Sequence, residues 1–240
     1  MSLISSEFYV KRSGMADFLD GLGETPGPSP LSVYIPPGMS VPDAVPALPA
    51  EILRAVSTSP VGGVIFLDEG ENRLVLPPFP VSEKVVFSGI VKEPLRTILE
   101  QNYLVGLVLV HLGTYAVGVC RGDSLVSSKV GTGLVHGRTK KGGSSSARFQ
   151  RRRQNQAREF LERVCGHARE HLIPHEKNLD YLLFGGPRLT VQKLQKECPF
   201  LKSFEDRTLP VMEVTALRQK VLEAAVSRLW SSRVIGWHEE

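Results

Sequence analysis

The sequence predicts an α/β fold in which a mixed β-sheet contains an antiparallel meander and is flanked by helices. Two observations lead to this prediction. Three apolar runs follow one another between residues 104 and 130, and the connections between them are short enough for hairpins. After them, amphipathic helix patterns alternate with short buried runs, which is the order of elements expected when helices cover the faces of a sheet.

The first 80 residues are punctuated by prolines. Short apolar runs lie between the prolines at Leu31–Ile35 and Val61–Leu67, and a helix pattern occurs near Ala47–Val56. Because proline cannot donate a hydrogen bond to a β-ladder, we expect these apolar runs to form short edge strands and turns.

The segment Pro77–Pro80 has the composition of a connector, and we place a domain boundary there. This divides the chain into a proline-rich N-terminal region, residues 1–80, and a second domain, residues 81–240. The N-terminal region could also belong to the same sheet as the second domain. Beyond the boundary, Val85–Ile90 has the pattern of a strand and Glu93–Gln101 that of a helix.

The meander is predicted from Leu104–Leu112, Tyr115–Cys120 and Leu125–Val130. Gly113-Thr114 separates the first two runs, and the four residues 121–124 separate the last two. Connections of this length join neighbouring antiparallel strands, so the three runs are expected to form consecutive strands of one sheet.

The last third of the chain contains the predicted helices. Apolar residues at three- and four-residue spacing from Ala157 to Leu172 predict an amphipathic helix of roughly 20 residues or more, which Pro174 should end. The later predicted elements are a strand at Tyr181–Phe184, a helix at Leu189–Lys196, a strand at Pro210–Val214 and a helix at Ala216–Trp230.

The composition points to a cytoplasmic protein without membrane contact. The formal net charge is +4, the N-terminus lacks the apolar core of a signal peptide, and the longest apolar run, Tyr103–Leu112, is about half a membrane span. Three scattered cysteines with no CxxC pair indicate reduced thiols and no disulfide scaffold. They are Cys120, Cys165 and Cys198.

The main functional signal is the basic segment, residues 136–153, HGRTKKGGSSSARFQRRR. A glycine-serine centre lies between two groups of cations, and no acidic residue occurs between Asp123 and Glu159. A flexible linker is the alternative, but a linker has no need of cations on both sides. A segment that carries only positive charges predicts contact with a nucleic acid. The expected contact residues are His136, Arg138, Lys140, Lys141, Arg148, Arg151, Arg152 and Arg153.

Other kinds of site have little support in the sequence. A P-loop, a GxGxxG fingerprint and a GxSxG elbow are absent, so no cofactor is expected. His167 and His171 share a helix face at a spacing that can bind zinc, but HExxH is missing and Pro174 should turn His175 away. We therefore expect no metal site. Cys120 lies in an apolar strand and is expected to be a core residue.

The order of residues in the basic segment, HGR, then GGSSSARF, then two further arginines, resembles the central domain of eukaryotic and archaeal peptide-chain release factors. The closer resemblance is to the release-factor-like peptidyl-tRNA hydrolases of ribosome quality control, including bacterial relatives. In that family an HGRGGQSxxRF-type segment links a strand to a long helix. The resemblance covers about residues 84–235 and implies an RNase H-like architecture. It also implies a tip that reaches the peptidyl transferase centre of the large ribosomal subunit and promotes hydrolysis of peptidyl-tRNA.

The resemblance places Gly142 and Gly143 at this tip, with Ser144 or Ser145 next to the attacking water. These serines stand where relatives with Gly-Gly-Gln or Gly-Gly-Ser-Gln tips carry glutamine. Backbone N–H groups of the glycines could still stabilise a developing oxyanion. Two functions are therefore open: release of nascent chains from stalled ribosomes or large subunits, and non-catalytic binding of ribosomes or tRNA through the same loop.

A magnesium-dependent nuclease is a third alternative, because a mixed sheet with flanking helices can carry one. That chemistry requires clustered acidic ligands. Asp68, Asp123 and Asp180 are present, but they show no recognisable ligand pattern.

Overall fold

The computed structural model describes residues 3–23, 30–68, 71–135, 146–214 and 219–238. The chain divides into two compact units. The first unit contains Met1–Gln101 and Ser227–Glu240, and the second contains Asn102–Val226. Each unit is built around one β-sheet.

The described residues form eleven strands, six helices and two 3-10 turns. The strands are β1 (Leu3–Val10), β2 (Leu31–Ile35), β3 (Gly63–Leu67), β4 (Asn72–Leu76), β5 (Val85–Ser88), β6 (Leu104–His111), β7 (Thr114–Arg121), β8 (Ser124–Thr132), β9 (Tyr181–Gly185), β10 (Thr208–Met212) and β11 (Ser232–His238). The helices are α1 (Arg12–Asp20), α2 (Ala50–Thr58), α3 (Glu93–Glu100), α4 (Ser146–Leu172), α5 (Arg188–Glu197) and α6 (Gln219–Leu229), with 3-10 turns at Ile173–His175 and Pro199–Arg207.

The sheet of the first unit has the strand order β1-β11-β4-β3-β2-β5, and its neighbouring strands are antiparallel. Its central strand β3 is buried on both faces. Val64 and Phe66 pack in one cluster with residues of α1 and α3, whereas Ile65 and Leu67 pack in another with residues of α2. Alternate residues of a strand point to opposite faces, so the sheet separates two apolar layers.

The prediction that the apolar runs of the N-terminal region are edge strands is wrong. Both β2 and β3 have a neighbour on each side. The prolines lie just outside these strands: Pro30 and Pro36 flank β2, and Pro60 precedes β3. They therefore remove no donor from the ladders and instead mark the turns between the strands.

The division into units differs from the expected boundary at residue 80. β5 pairs with β2, so the first unit continues through α3 to Gln101. β11, near the C-terminus, pairs with both β1 and β4 and belongs to the same sheet. The strands of residues 1–80 thus form a sheet with β5 and β11 and do not extend the meander.

The second unit confirms the predicted α/β class and the mixed sheet with its meander. Its strand order is β10-β9-β6-β7-β8, in which β6, β7 and β8 are antiparallel and β9 and β10 run parallel to β6. Gly113 and Gly122 lie in the two hairpin turns with positive φ angles of 96° and 56°. Tight hairpin turns need this conformation, which glycine adopts without steric cost.

One face of this sheet is covered by α4, α5 and the 3-10 turn that follows α5. On α4 the buried side chains are Phe160, Leu161, Val164, Ala168 and Leu172, which share a core with valines of β6 and β7. The helix ends at Leu172, immediately before the 3-10 turn that contains Pro174. This agrees with the predicted end of the helix. None of the helices in the described ranges is both long and apolar enough to cross a membrane.

The expectation of three reduced cysteines is wrong. Cys165 of α4 and Cys198, the residue that follows α5, form a disulfide with a Cα–Cα distance of 5.5 Å. Cys120 is free and buried. The pairing has no local sequence signature because the two cysteines are 33 residues apart. Only the packing of α5 beside α4 brings them together.

Removing this disulfide is expected to lower the free energy of unfolding by about 2–4 kcal/mol, because the crosslink restricts the unfolded chain. Thermal unfolding of wild type with and without reductant, and of Cys165→Ala/Cys198→Ala, measures the effect. Cys120→Ala is the matched control: it keeps the disulfide, so reductant should lower its unfolding temperature by as much as it lowers that of wild type. Detection of three reactive thiols in the denatured, unreduced protein would contradict the pairing.

Candidate nucleic-acid interface

The basic segment is only partly within the described residues. His136, Arg138, Lys140, Lys141 and the tip residues Gly142, Gly143, Ser144 and Ser145 lie outside them. The remaining predicted contacts, Arg148, Arg151, Arg152 and Arg153, lie in the first two turns of α4. The structure therefore brings these four arginines together on one helix.

The chain is well anchored where it enters the basic segment. The backbone N–H of Gly133 donates to the carbonyl of Gly113 at 2.9 Å, and Val135 packs against the core of the second unit. Gly133 also lies against Phe160, since a Cβ at this position would come within 2.5 Å of the ring. The end of the strand is thus held against the same helix that continues beyond the basic segment.

Helix α4 has two halves with different environments. The C-terminal half, residues 160–172, supplies the core side chains described above. The N-terminal half, residues 147–157, has no buried side chain, and Arg148, Arg151 and Arg152 are exposed. At 1.5 Å per residue this half is roughly 16 Å long. It presents cations on a rigid element without contributing to the core.

The charge of the N-terminal half is unfavourable for the helix itself. Its first turn contains no acidic residue, although acidic side chains there would complement the helix dipole. Arg148 and Arg152 have i,i+4 spacing. Two like charges at this spacing destabilise a helix by about 0.2–0.5 kcal/mol. Further along, Arg158 pairs with Glu162 at 3.6 Å. A bound polyanion would remove this repulsion, so the arrangement is suited to phosphate binding.

Two histidines connect the C-terminal half of α4 to the meander. The His167 ring stacks on Tyr115 with centroids 5.4 Å apart, and its Nδ1 lies 2.9 Å from Glu170 Oε2. His171 Nδ1 is in hydrogen-bond contact with Ser127 Oγ of β8 at 3.0 Å. The two histidines whose spacing is compatible with zinc binding therefore contact Tyr115, Glu170 and Ser127. Within the ranges that the structure describes, no group of three or more His, Cys, Asp or Glu residues could hold a metal ion.

The other candidate groups have structural roles. Burial raises the pKa of the Cys120 thiol to about 12, which makes it a poor nucleophile and agrees with its predicted place in the core. Asp180 Oδ2 accepts a 2.7 Å hydrogen bond from the backbone N–H of Leu104, at the start of β6. One acidic residue of the nuclease alternative is thus used to hold the sheet together.

A comparison with known families identifies the lineage of the second unit. The family described as the Actinobacteria/chloroflexi VLRF1 release factor matches residues 103–235, more than half of the chain. The chain belongs to this VLRF1 release factor family. The match begins just before β6 and ends within β11, so it includes the meander, the basic segment and α4. The resemblance stated from the basic segment is confirmed.

Similar proteins include archaeal release factors. The chain is 30% identical over 138 residues to peptide chain release factor subunit 1 of Archaeoglobus fulgidus, covering 55% of this chain and 34% of that protein. It is 26% identical over 169 residues to the same factor of Thermococcus sibiricus, covering 69% and 40%. The matches thus span about a third to two fifths of these curated relatives. The solved archaeal translation termination factor aRF1 is 19% identical, with a TM-score of 0.39 and coverage of 91% of this chain and 73% of that one.

The contact of His171 with β8 predicts a pH dependence of stability. Burial lowers the pKa of His171 from its usual 6.5, so the unfolded chain binds the proton more readily than the folded one. The stabilisation is complete above about pH 6.5 and is lost as the pH falls through that value towards the lowered pKa. Chemical unfolding between about pH 5 and pH 8 should show stability falling with acidity.

The matched variant is His171→Gln, which keeps a polar group opposite Ser127 and cannot titrate. Its stability should vary less than that of wild type over the same range. The His167 contact lowers the pKa of Glu170 below its usual 4.5, so that carboxylate titrates at lower pH and does not interfere. Equal pH profiles for the two proteins would show that His171 is not the titrating group.

Proposed function

We propose that this VLRF1-family protein releases nascent chains by hydrolysing the ester of peptidyl-tRNA on stalled ribosomes or large subunits in the cytoplasm. The observation that carries the proposal is the exposed, acid-free first half of α4, directly after the Gly-Gly-Ser-Ser tip. The membership of the chain in the VLRF1 family and its similarity to archaeal release factors support the same reaction. Because the matches span only part of those relatives, the activity of a whole release factor is itself a proposal for this chain.

In the proposed reaction, water attacks the ester carbonyl that joins the peptide to the tRNA. The bond to the tRNA 3′-oxygen breaks, that oxygen takes up a proton, and the peptide leaves with a free carboxylate. Backbone N–H groups of Gly142 and Gly143 are the candidates for stabilising the oxyanion, and Ser144 or Ser145 for orienting the water. The cations on both sides of the tip would hold ribosomal or tRNA phosphates and set its position.

The strand order of the second unit supports the proposed RNase H-like, release-factor central-domain architecture. A three-stranded antiparallel meander is extended by two parallel strands, and α4 covers one face. In this architecture residues 81–240 would include the RNA-binding domain.

The second candidate function is a non-catalytic factor that binds ribosomes or tRNA through the same surface. The observation that favours it is the serine at both positions where relatives carry the tip glutamine, Ser144 and Ser145. A serine hydroxyl reaches less far than a glutamine amide, so water would be oriented less well. Binding depends on the arginines and would be unaffected.

The release activity is tested with purified full-length protein and stalled ribosome–nascent-chain complexes. Wild type should free the peptide, and Gly143→Asp should slow release by about a hundredfold or more, because it places a negative charge where an oxyanion develops. A Gly143→Asp protein that releases peptide like wild type would show that the tip is not the reactive element.

Ser144→Gln and Ser145→Gln separate the two candidate functions in the same assay. If wild type is silent and one of these variants releases peptide, the natural protein is the binding factor. If wild type is active and neither variant exceeds it, the protein is a hydrolase that works without the glutamine. Ribosome binding by each protein should be equal, since no charge changes.

The cationic surface is tested by the salt dependence of RNA binding. Arg151→Gln/Arg152→Gln should weaken binding at low salt and reduce the slope of log K against log salt by roughly one to two. Lys193→Gln/Lys196→Gln removes two charges from exposed positions of α5 and is the matched control. Equal slopes for the two double variants would locate the contact elsewhere, and a flat slope for wild type would exclude phosphate binding altogether.

A further inference from the structure

Phe149 is an exposed aromatic side chain in the first turn of α4. It is 53% exposed, and it is the only exposed aromatic ring among the described residues of the second unit. The other exposed large hydrophobic residues in that unit are Val126, Leu134, Ile173, Leu189 and Val211. A single exposed hydrophobic side chain is common on protein surfaces, so its surroundings decide whether it has a role.

The surroundings of Phe149 are cationic. Arg148 precedes it in the chain, and Arg152 follows at i+3, which makes the two side chains neighbours on the helix surface. Arg151 is exposed in the same turn. The next acidic residue along the helix is Glu159, more than two turns away. The ring therefore lies among arginines of the same helix, with no acidic residue in the first three turns of α4.

The helix also fixes the direction of the Phe149 side chain. Phe149 and Phe160 are eleven residues apart, which is roughly three turns, so they lie on the same face of α4. Phe160 is buried and packs edge-on against Tyr115, with centroids 6.1 Å apart. Arg153 and Gln156 lie between the two rings on this face. Phe149 is therefore separated from the apolar core by polar side chains, on a helix whose other half is anchored.

A ring between cations matches the chemistry of an RNA strand. Aromatic side chains stack on unpaired bases, and the neighbouring arginines bind the phosphates that join them. We propose that Phe149 is a stacking platform for an unpaired nucleobase of the RNA partner, with Arg148, Arg151 and Arg152 on the adjacent phosphates. The inference rests on the proposed function, since it names a base contact within the same interface.

Stacking on Phe149 would add a contribution to the binding affinity that does not come from charge attraction. Phosphate binding weakens steeply as salt rises, whereas stacking of a neutral ring does not depend on released counterions. Phe149 would therefore favour RNA that offers an unstacked base over fully paired RNA. It would hold the helix next to such a base while the tip is placed.

The experiment uses the full chain and two probes, a short single-stranded oligoadenylate and a strand of equal length whose nucleotides are abasic. Phe149→Ala should weaken oligoadenylate binding by about tenfold, leave the salt slope unchanged and leave binding of the abasic strand unchanged. Phe149→Trp should bind oligoadenylate at least as well as wild type. Leu189→Ala, at an exposed aliphatic position of α5, is the control and should bind like wild type.

A second readout separates stacking from general hydrophobic contact. Phe149→Leu keeps an apolar side chain and should lose affinity like Phe149→Ala. The native Trp230 and Trp237 are buried and therefore shielded from contact with an added strand. Quenching found with Phe149→Trp and not with wild type thus reports a contact of the introduced indole, and it should occur with oligoadenylate and not with the abasic strand.

Several outcomes would overturn the inference. Phe149→Ala binding oligoadenylate like wild type would exclude a stacking role. An equal loss on both probes would mean that Phe149 shapes the helix and does not contact a base. In each case wild-type RNA binding and peptide release would persist, whereas failure of the proposed function would remove the salt-dependent binding of wild type itself.

Discussion

The packing of the C-terminal half of α4 against the meander is the interaction on which the rest of the second unit depends. Five side chains of that half are buried, from Phe160 to Leu172. Each large apolar side chain contributes about 1.5–3 kcal/mol when fully buried. The like-charge pairs in the N-terminal half cost only a few tenths of a kcal/mol each. The core therefore outweighs the repulsion, and one continuous helix can carry both a structural half and a charged half.

The position of the charged half is fixed by several contacts of different chemistry. His171 bonds to β8, His167 stacks on β7, and the Cys165–Cys198 disulfide joins the same stretch of α4 to the end of α5. These contacts lie within two turns of one another along the helix. These contacts hold the exposed arginines of the N-terminal half on a rigid scaffold, and side chains on a rigid element are placed more precisely than side chains on loops.

Much of the second unit could be predicted from sequence because its signals are local. The meander has short hairpin connections, and the apolar face of α4 has a clear helical period. The first unit was less predictable. β1 contains Ser5, Ser6 and Glu7 within its strand, and its partner β11 lies at the opposite end of the chain. A pairing over that distance leaves no pattern in a local window.

The same distinction applies to the candidate interface. Its arginines were visible as a run of charge without acidic residues, which needs no tertiary information. The contact between His171 and Ser127, and the disulfide, join residues that only folding brings together. The sequence therefore could not show what His167 and His171 contact. In the sequence, Phe149 could be recognised only as a member of the basic segment, residues 136–153. Its exposure could be known only once the core-facing residues of α4 were assigned.

The place of β11 between β1 and β4 has a consequence for how the chain matures. Leu3 pairs with His238, so β1 has no partner strand until β11 has been synthesised. The second unit lies entirely between these two strands in the sequence and can assemble from mostly closer partners. Pairing between strands so distant in sequence is slow because the long intervening loop must first be closed. Vectorial synthesis therefore favours completion of the second unit before β1 pairs with β11.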